Sequence, residues 1–403
     1  INAMLYVRGN RWDYDHWAAL GNPGWGYDEV LPLFKRAEHN EQFADAFHGQ
    51  GGPLNVTYPR FESPLSRMFL DACAHHGIAP NPDYNGAQQE GSFLYQVTHK
   101  NGERCSAAKG YLTPNLSRSN LKVITHAVSA KVDLDQRRAT GVQFYLGNEL
   151  QRVRARREVI VSAGAFGSPQ LLQLSGIGAP AALQQAGVTP VHALPGVGQN
   201  LQDHIDYVQS WTVPSHTASF GASPRGIGQI ARAMFEWRRQ RSGMVTSTIA
   251  TAGAFFRSAP EVAVPDLQLV FVVALVDDHA RKAHLGHGIS CHVDVLRPYS
   301  RGTVGIRSSN PRVAPVIDPQ FLSDERDLAL LVQGGQMQQC ILESAAFDSV
   351  RGKMLYPVKS GDTAAMAQDI RNRADTQYHP VGTCKMGPDS DPLAVVDAQL
   401  RVK

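Results

Sequence analysis

Glu158-Val159-Ile160-Val161-Ser162-Ala163-Gly164-Ala165-Phe166-Gly167-Ser168-Pro169-Gln170-Leu171-Leu172-Gln173-Leu174 is the stretch on which the fold turns. Residues 158–161 predict a short apolar strand, 162–169 a turn of small residues, and 170–174 a helix. A strand that runs into a small-residue turn and then a helix lets backbone approach a phosphate or a cofactor ring closely. Upstream, the β-prone runs 121–125, 130–134, 140–146 and 150–155, joined by polar turns, predict a β-meander that ends in 158–161.

Further out, 27–37 predicts a helix, with Pro32 tolerated in about its first turn. His48-Gly49-Gln50-Gly51-Gly52-Pro53 predicts a loop, and 54–56 a short strand after it. Ser63 and Pro64 are a cap and a first helical residue for a helix over 63–76. In the second half, 230–241 predicts an amphipathic helix carrying Phe235 and Trp237, and 324–345 a long helix. Residues 267–276, 290–296 and 303–307 read as sheet strands. No repeat or low-complexity tract interrupts this alternation.

Composition limits the classes. The 403 residues carry 39 Lys+Arg against 36 Asp+Glu, a net charge of +3, with 43% hydrophobic and 19% charged residues. That balance excludes a largely disordered chain, and so small an excess predicts no nucleic-acid or membrane field. The longest apolar stretch, 269–276, is too short to span a bilayer. Cys73, Cys105, Cys291, Cys340 and Cys384 are odd in number, scattered and without CxxC spacing, which fits a reduced, cytoplasmic compartment. The chain opens on Ile1 without a leader and stops at Lys403 within a strand-like run, so both ends read as cut.

Several constellations could carry chemistry. In Tyr378-His379-Pro380-Val381-Gly382-Thr383-Cys384-Lys385-Met386-Gly387, Pro380 biases His379 to extended backbone, and a histidine so fixed can act as a general base. The plainer reading is a loop histidine bonded to a carbonyl. His279, His284, His287, Cys291 and His292 invite a zinc site, but their spacing matches no closed zinc pattern and a polar loop suits them better. Gly196-Val197-Gly198-Gln199-Asn200-Leu201-Gln202-Asp203-His204 is a glycine turn followed by ligand-capable polar groups, or a plain turn. Cys384 beside Lys385 reads as a small buried residue rather than a nucleophile. Neither Gly-x-Ser-x-Gly nor a Gly-rich nucleotide motif occurs where one should sit.

Three segments together resemble the glucose–methanol–choline (GMC) flavoprotein oxidoreductases, in particular their choline-dehydrogenase-like branch. Ile1 to Gly9, running on to Asp13-Tyr14-Asp15-His16-Trp17, resembles the back half of the family's first signature. Gly164 to Leu172, continuing through Ser175-Gly176-Ile177-Gly178, resembles the second. His379 to Gly387 is similar to the segment that holds the catalytic histidine. With Gly196 to His204 and Arg297-Pro298-Tyr299-Ser300-Arg301-Gly302, the resemblance extends over essentially the whole chain.

The resemblance implies an α/β plus α+β architecture. A Rossmann-like FAD-binding domain, here incomplete (1–60, 115–206 and 377–403), carries an inserted substrate domain of antiparallel sheet flanked by helices (61–114 and 207–376). It implies FAD as cofactor and oxidation of a primary alcohol, choline or an aliphatic or aromatic one, to the aldehyde. His379 would take the hydroxyl proton as hydride leaves for flavin N5. Asn2, Ala3, Met4 and Leu5 would line the flavin ring, the Val128 backbone would meet the adenine, and Tyr378 would lie against the cofactor. No metal is implied. The partners are the alcohol and an electron acceptor, whether a quinone, another carrier or oxygen; an oxygen-using oxidase and a non-catalytic binding relative are the alternatives. The family's Gly-rich motif and its second catalytic residue fall outside these 403 residues, so the resemblance implies a longer protein of roughly 500 to 560 residues and weak FAD binding by this stretch alone. Choline recognition would call for an aromatic cage or a carboxylate near the pocket, and the sequence does not place Phe271, Trp211 or Asp277 there.

Overall fold

The computed structural model describes residues 3–403, without the side chain of His279; Asn2 lies outside the described residues. Its centre is a seven-stranded antiparallel sheet in the order Asp375–Thr376, Ile205–Val213, Gly286–Val295, Leu267–Val272, Ala250–Phe256 and Gly91–Leu94, with Gly221–Ala222 paired onto Gly286–Val295. Side chains alternate between the two faces of a strand, and this alternation separates core from site. Leu267, Leu269 and Phe271 face the helices Pro64–His75 and Glu325–Leu342, while Val270 and Val272 face the other way. On the next strand Ile289, Cys291, Val293 and Val295 join the helix side, which leaves Ser290, His292 and Asp294 on the opposite face. Phe271 stacks on Phe69 with ring centroids 4.8 Å apart, and both are fully buried.

The covering helices start where their sequences provide caps. Ser63 Oγ accepts the Leu65 N–H, with Pro64 at the first helical position, and Asp324 accepts the Arg326 N–H. The helix over Phe235 and Trp237 runs Pro224–Gln240, starting earlier than 230. Its signal is the pair Ser223-Pro224, in which Ser223 Oγ accepts the Gly226 N–H at 3.0 Å.

The meander has three strands, Ala127–Asp135, Arg138–Leu146 and Glu149–Arg154. The expected strands 121–125 and 158–161 do not form: neither finds a pairing partner among the described residues, and Val123, Ile124 and Ile160 are exposed. An apolar run is a strand only where a neighbour completes its ladder.

Two prolines sit deeper in helices than the sequence suggested. Pro32 lies inside Tyr27–Ala37, not in its first turn, and the buried Tyr27 and Val30 hold that helix through it. The helix expected over 170–174 begins at Gly164 and includes Pro169. Pro169 has no N–H to give the carbonyl of Ala165 four residues back. The hydroxyl of Thr383 donates to that carbonyl instead, at 2.6 Å.

Candidate active site

That Thr383 bond belongs to a larger seam. Gly198 N–H donates to Thr383 O at 2.9 Å, Val381 and Gln202 exchange backbone bonds at 2.8 and 3.0 Å, and Gln377 N–H donates to His204 O at 2.9 Å. The segment around His379 is thereby zipped along 198–204 and tied to the start of the Gly164–Leu174 helix. Gly382 makes the approach possible: its φ is +93°, and a Cβ there would meet Asn200 O at 2.3 Å. The other segments join in. Leu201 and Gly302 exchange backbone bonds, and Arg297 grips Asp13 through two bonds of 2.6 and 2.9 Å. The five segments singled out in the sequence thus meet in one place.

His379 is aimed by its backbone. Its N–H donates to Asp203 Oδ1 at 2.8 Å, the Thr376 hydroxyl donates to Asp203 Oδ2, and Tyr378 N–H donates to Thr376 Oγ1 at 2.8 Å. Tyr378 holds a φ of +64°, a left-handed conformation rare for an aromatic residue and one that persists only where the surroundings impose it. The His379 ring opens onto a cavity of about 780 Å³, a size suited to small ligands. Its lining includes Ala3, Leu5, Tyr378 and His379, the apolar Ile249, Phe255, Val270, Val272, Val276 and Leu296, and the polar His204 and His292.

The electrostatics favour an uncharged base. Crowding by protein around the ring holds His379 below the usual imidazole range, although Asp203 pulls the other way. His204 is held lower, at about 4, by burial first and then by His379 beside it, the two ring centroids being 5.5 Å apart. A histidine that stays neutral near pH 7 is ready to accept a proton.

Met4 is off the cavity lining and turns the chain at φ +70°, its carbonyl accepting the Thr98 N–H at 2.9 Å. Val128 is exposed in the meander, paired with Tyr145 and likewise off the cavity lining. Of the histidine cluster, the described side chains of His284, His287, Cys291 and His292 are not gathered into a site. His287 is buried between Ser219 and Ser223, His284 bonds Asp277 and His292 bonds Asp206. Cys384 is pushed up to about 11 by burial, which suits an inert thiol. Phe271 and Trp211 are spent in the core, and Asp277 is engaged by His284 and Tyr356. Sequence reasoning gave no individual role to Asp203, Asp206 or Asp294; the Asp203-His204 pair after the glycine turn was the available signal.

A family model described as GMC oxidoreductase matches residues 1–206, and a second GMC oxidoreductase model matches 298–403. An alcohol dehydrogenase [acceptor] of Pseudomonas putida is 41% identical over 411 residues, covering all of this chain and 73% of that protein. An oxygen-dependent choline dehydrogenase of Brucella anthropi is 39% identical over 406 residues, with the same coverage. Among solved structures, pyridoxine 4-oxidase from Mesorbium loti superposes with a TM-score of 0.86 at 29% identity, covering the whole chain and 75% of the other. An FAD-dependent oxidoreductase from Chaetomium thermophilum gives 0.90 at 25%, covering 78% of that chain.

Fold and site together define an FAD-dependent oxidoreductase acting on CH–OH donors, with an α/β FAD-binding fold and a substrate domain. The family matches span more than half of the chain, and the chain covers 73% of the length of the two relatives. The chain belongs to the GMC oxidoreductase family. No helix among the described residues is long and apolar enough to cross a membrane.

Proposed function

We propose that the protein oxidises a neutral, largely apolar primary alcohol to the aldehyde, with His379 as the base. The observation that carries this reading is one cavity lined both by His379 and by apolar side chains from Ile249 to Leu296. The residues fit FAD beside His379: Ala3 and Leu5 line the cavity together with Tyr378 and His379, and small or apolar side chains there suit the flavin ring. Bound there, FAD supplies an acceptor for the hydride at flavin N5. Asn2, Ala3, Met4 and Leu5 would hold the ring and Val128 the adenine, with segments 1–60, 115–206 and 377–403 forming the cofactor domain and 61–114 and 207–376 the substrate domain. His379 takes the hydroxyl proton, because an alkoxide releases hydride far more readily than an alcohol does. The apolar wall orients the carbon chain and excludes water from the reacting carbon.

The wall also bears on the substrate. Among the described lining residues, Asp13 is the one carboxylate and it is bound by Arg297, and the aromatic rings are Phe255 and Tyr378. A quaternary ammonium would find neither a free carboxylate nor a full aromatic cage. Comparing kcat/KM for hexanol, benzyl alcohol and choline tests this. The reading expects the two neutral alcohols to be preferred by about tenfold or more, since each buried CH₂ contributes about 0.8 kcal/mol; a preference for choline would overturn it.

A further inference from the structure

Two carboxyl groups stand side by side on the cavity face of the sheet. Asp206 and Asp294 occupy paired register positions on the strands Ile205–Val213 and Gly286–Val295, and neither has exposed surface. Asp206 is matched by His292, whose Nδ1 lies 2.6 Å from its Oδ2. Asp294 has no such match. Neither of its oxygens has a hydrogen-bond partner, and the nearest basic atom is Nδ1 of His204, 3.6 Å from Oδ2. The His204 ring in turn faces His379. The other charged or titratable groups around the cluster are Asp203 on the same loop and Arg297, which is already committed to Asp13.

We propose that Asp294 is an un-ionised carboxylic acid that donates its O–H to Nδ1 of His204, and that His204, held neutral in this way, is a positioning residue that keeps positive charge away from His379. This deepens the reading of His379 as the base and rests on it.

The charge balance leads there. Two carboxylates at adjacent register positions repel in a dry interior, and one of them keeps a proton. Asp206 has the histidine, so the proton stays on Asp294. Burial first, then Asp206 and Asp203, push Asp294 well above the usual carboxylate range. The alternative, an ionised Asp294 paired with a cationic His204, would set that cation against His379 and Arg297. An O–H donor closes the 3.6 Å gap by a small carboxyl rotation, to the usual length of about 2.7–2.8 Å. With Nδ1 accepting, His204 keeps its proton on Nε2 and has no site for a second one. His379 is then the group of the pair that takes a proton.

The test needs no cofactor. Infrared spectra of the chain with ¹³C-labelled aspartate at pH 7 should show the C=O stretch of a protonated carboxylic acid, and Asp294→Asn should remove it. Histidine ring titration by NMR supplies the second readout. His204 should stay neutral down to about 4 in the wild type and in Asp294→Asn, whose amide still donates to Nδ1. In Asp294→Leu, of similar volume and without a donor, His204 should titrate at least tenfold more readily and push the His379 midpoint lower. No acid band at pH 7, or a His204 already charged near neutrality, would overturn the proposal. So would identical His204 and His379 titrations in Asn and Leu variants that melt as cooperatively as the wild type. These readouts do not depend on turnover, so the proposal and the base role of His379 can fail separately.

Discussion

His48, fully buried, and His204, half-buried, both stand beside carboxylates, and they are driven in opposite directions. His48 has Glu38 3.2 Å from Nδ1 and Asp83 3.0 Å from Nε2, and Arg8 closes the group through Glu38 at 2.6 Å. Burial opposes its charge, yet the two carboxylates win and raise it to about 9. Glu38 also resists burial, through bonds from His48, the Gly49 N–H and Asn40 that keep it below the usual carboxylate range. At His204 the neighbouring acid is itself crowded by acids, and the neighbouring base is His379, so burial wins and holds it at about 4. Where every charge has its partner, the cluster is framework: Arg8, Glu38 and Asp83 clamp the N-terminal segment against the 38–48 and 83–85 loops. Where the charges conflict, protonation is left adjustable, and that region lines the cavity.

The largest expected effect separates the two clusters directly. Glu38→Ala should destabilise the fold by about 3–5 kcal/mol in urea unfolding, because it strands buried Arg8 and His48. Asp294→Asn at pH 7 should leave stability unchanged or raise it, because it removes an acid whose proton is held against its own ionisation. Equal losses in the two variants would erase the distinction.

The pH dependence comes next. The folded-state pKa of His48 is raised, so its contribution is complete below about 6.5 and fades as pH rises through about 9. That of His204 is lowered, so unfolding takes up a proton, and stability present above about 6.5 is lost as pH falls toward 4. Each limb is worth up to about 3 kcal/mol at 1.36 kcal/mol per unit of pKa. Denaturation midpoints should trace both limbs in the wild type, with His48→Gln flattening the alkaline limb and His204→Gln the acid one; a limb that survives its own substitution would contradict the assignment.

Smaller effects probe the seam. Gly382→Ala forces a Cβ against Asn200 O at positive φ and should cost about 1–3 kcal/mol, with turnover falling more than stability as His379 shifts. Thr383→Val orphans the Ala165 carbonyl that Pro169 leaves open and should cost about 1 kcal/mol by thermal denaturation. An effect of Thr383→Val larger than that of Glu38→Ala would reverse the order of framework and site.

Much of this was legible in the chain because the relevant signals are local. Ser63-Pro64 and Asp324 announce helix starts, the apolar run over 267–276 announces a buried strand, and Pro380 and Gly382 mark His379 as a constrained loop histidine. What was not legible depends on partners remote in sequence. Residues 121–125 and 158–161 are β-prone, but a strand exists only if another lies beside it. Pro169 reads as the end of a turn unless the Thr383 hydroxyl, 218 residues from Ala165, is known to fill the gap in the helix. Asp206 and Asp294 look like ordinary strand polar residues until register brings them together 88 positions apart. Burial and conflicting charge are products of topology, and no local pattern encodes them.

The central claim is that His379, uncharged in the cavity lining, takes the alcohol proton. Its most direct test is steady-state turnover of a primary alcohol by the FAD-loaded enzyme, wild type against His379→Ala, with flavin content matched by absorbance. The account predicts a fall in kcat of about 10²-fold or more with the fold intact; unchanged turnover by a flavin-loaded variant would contradict it.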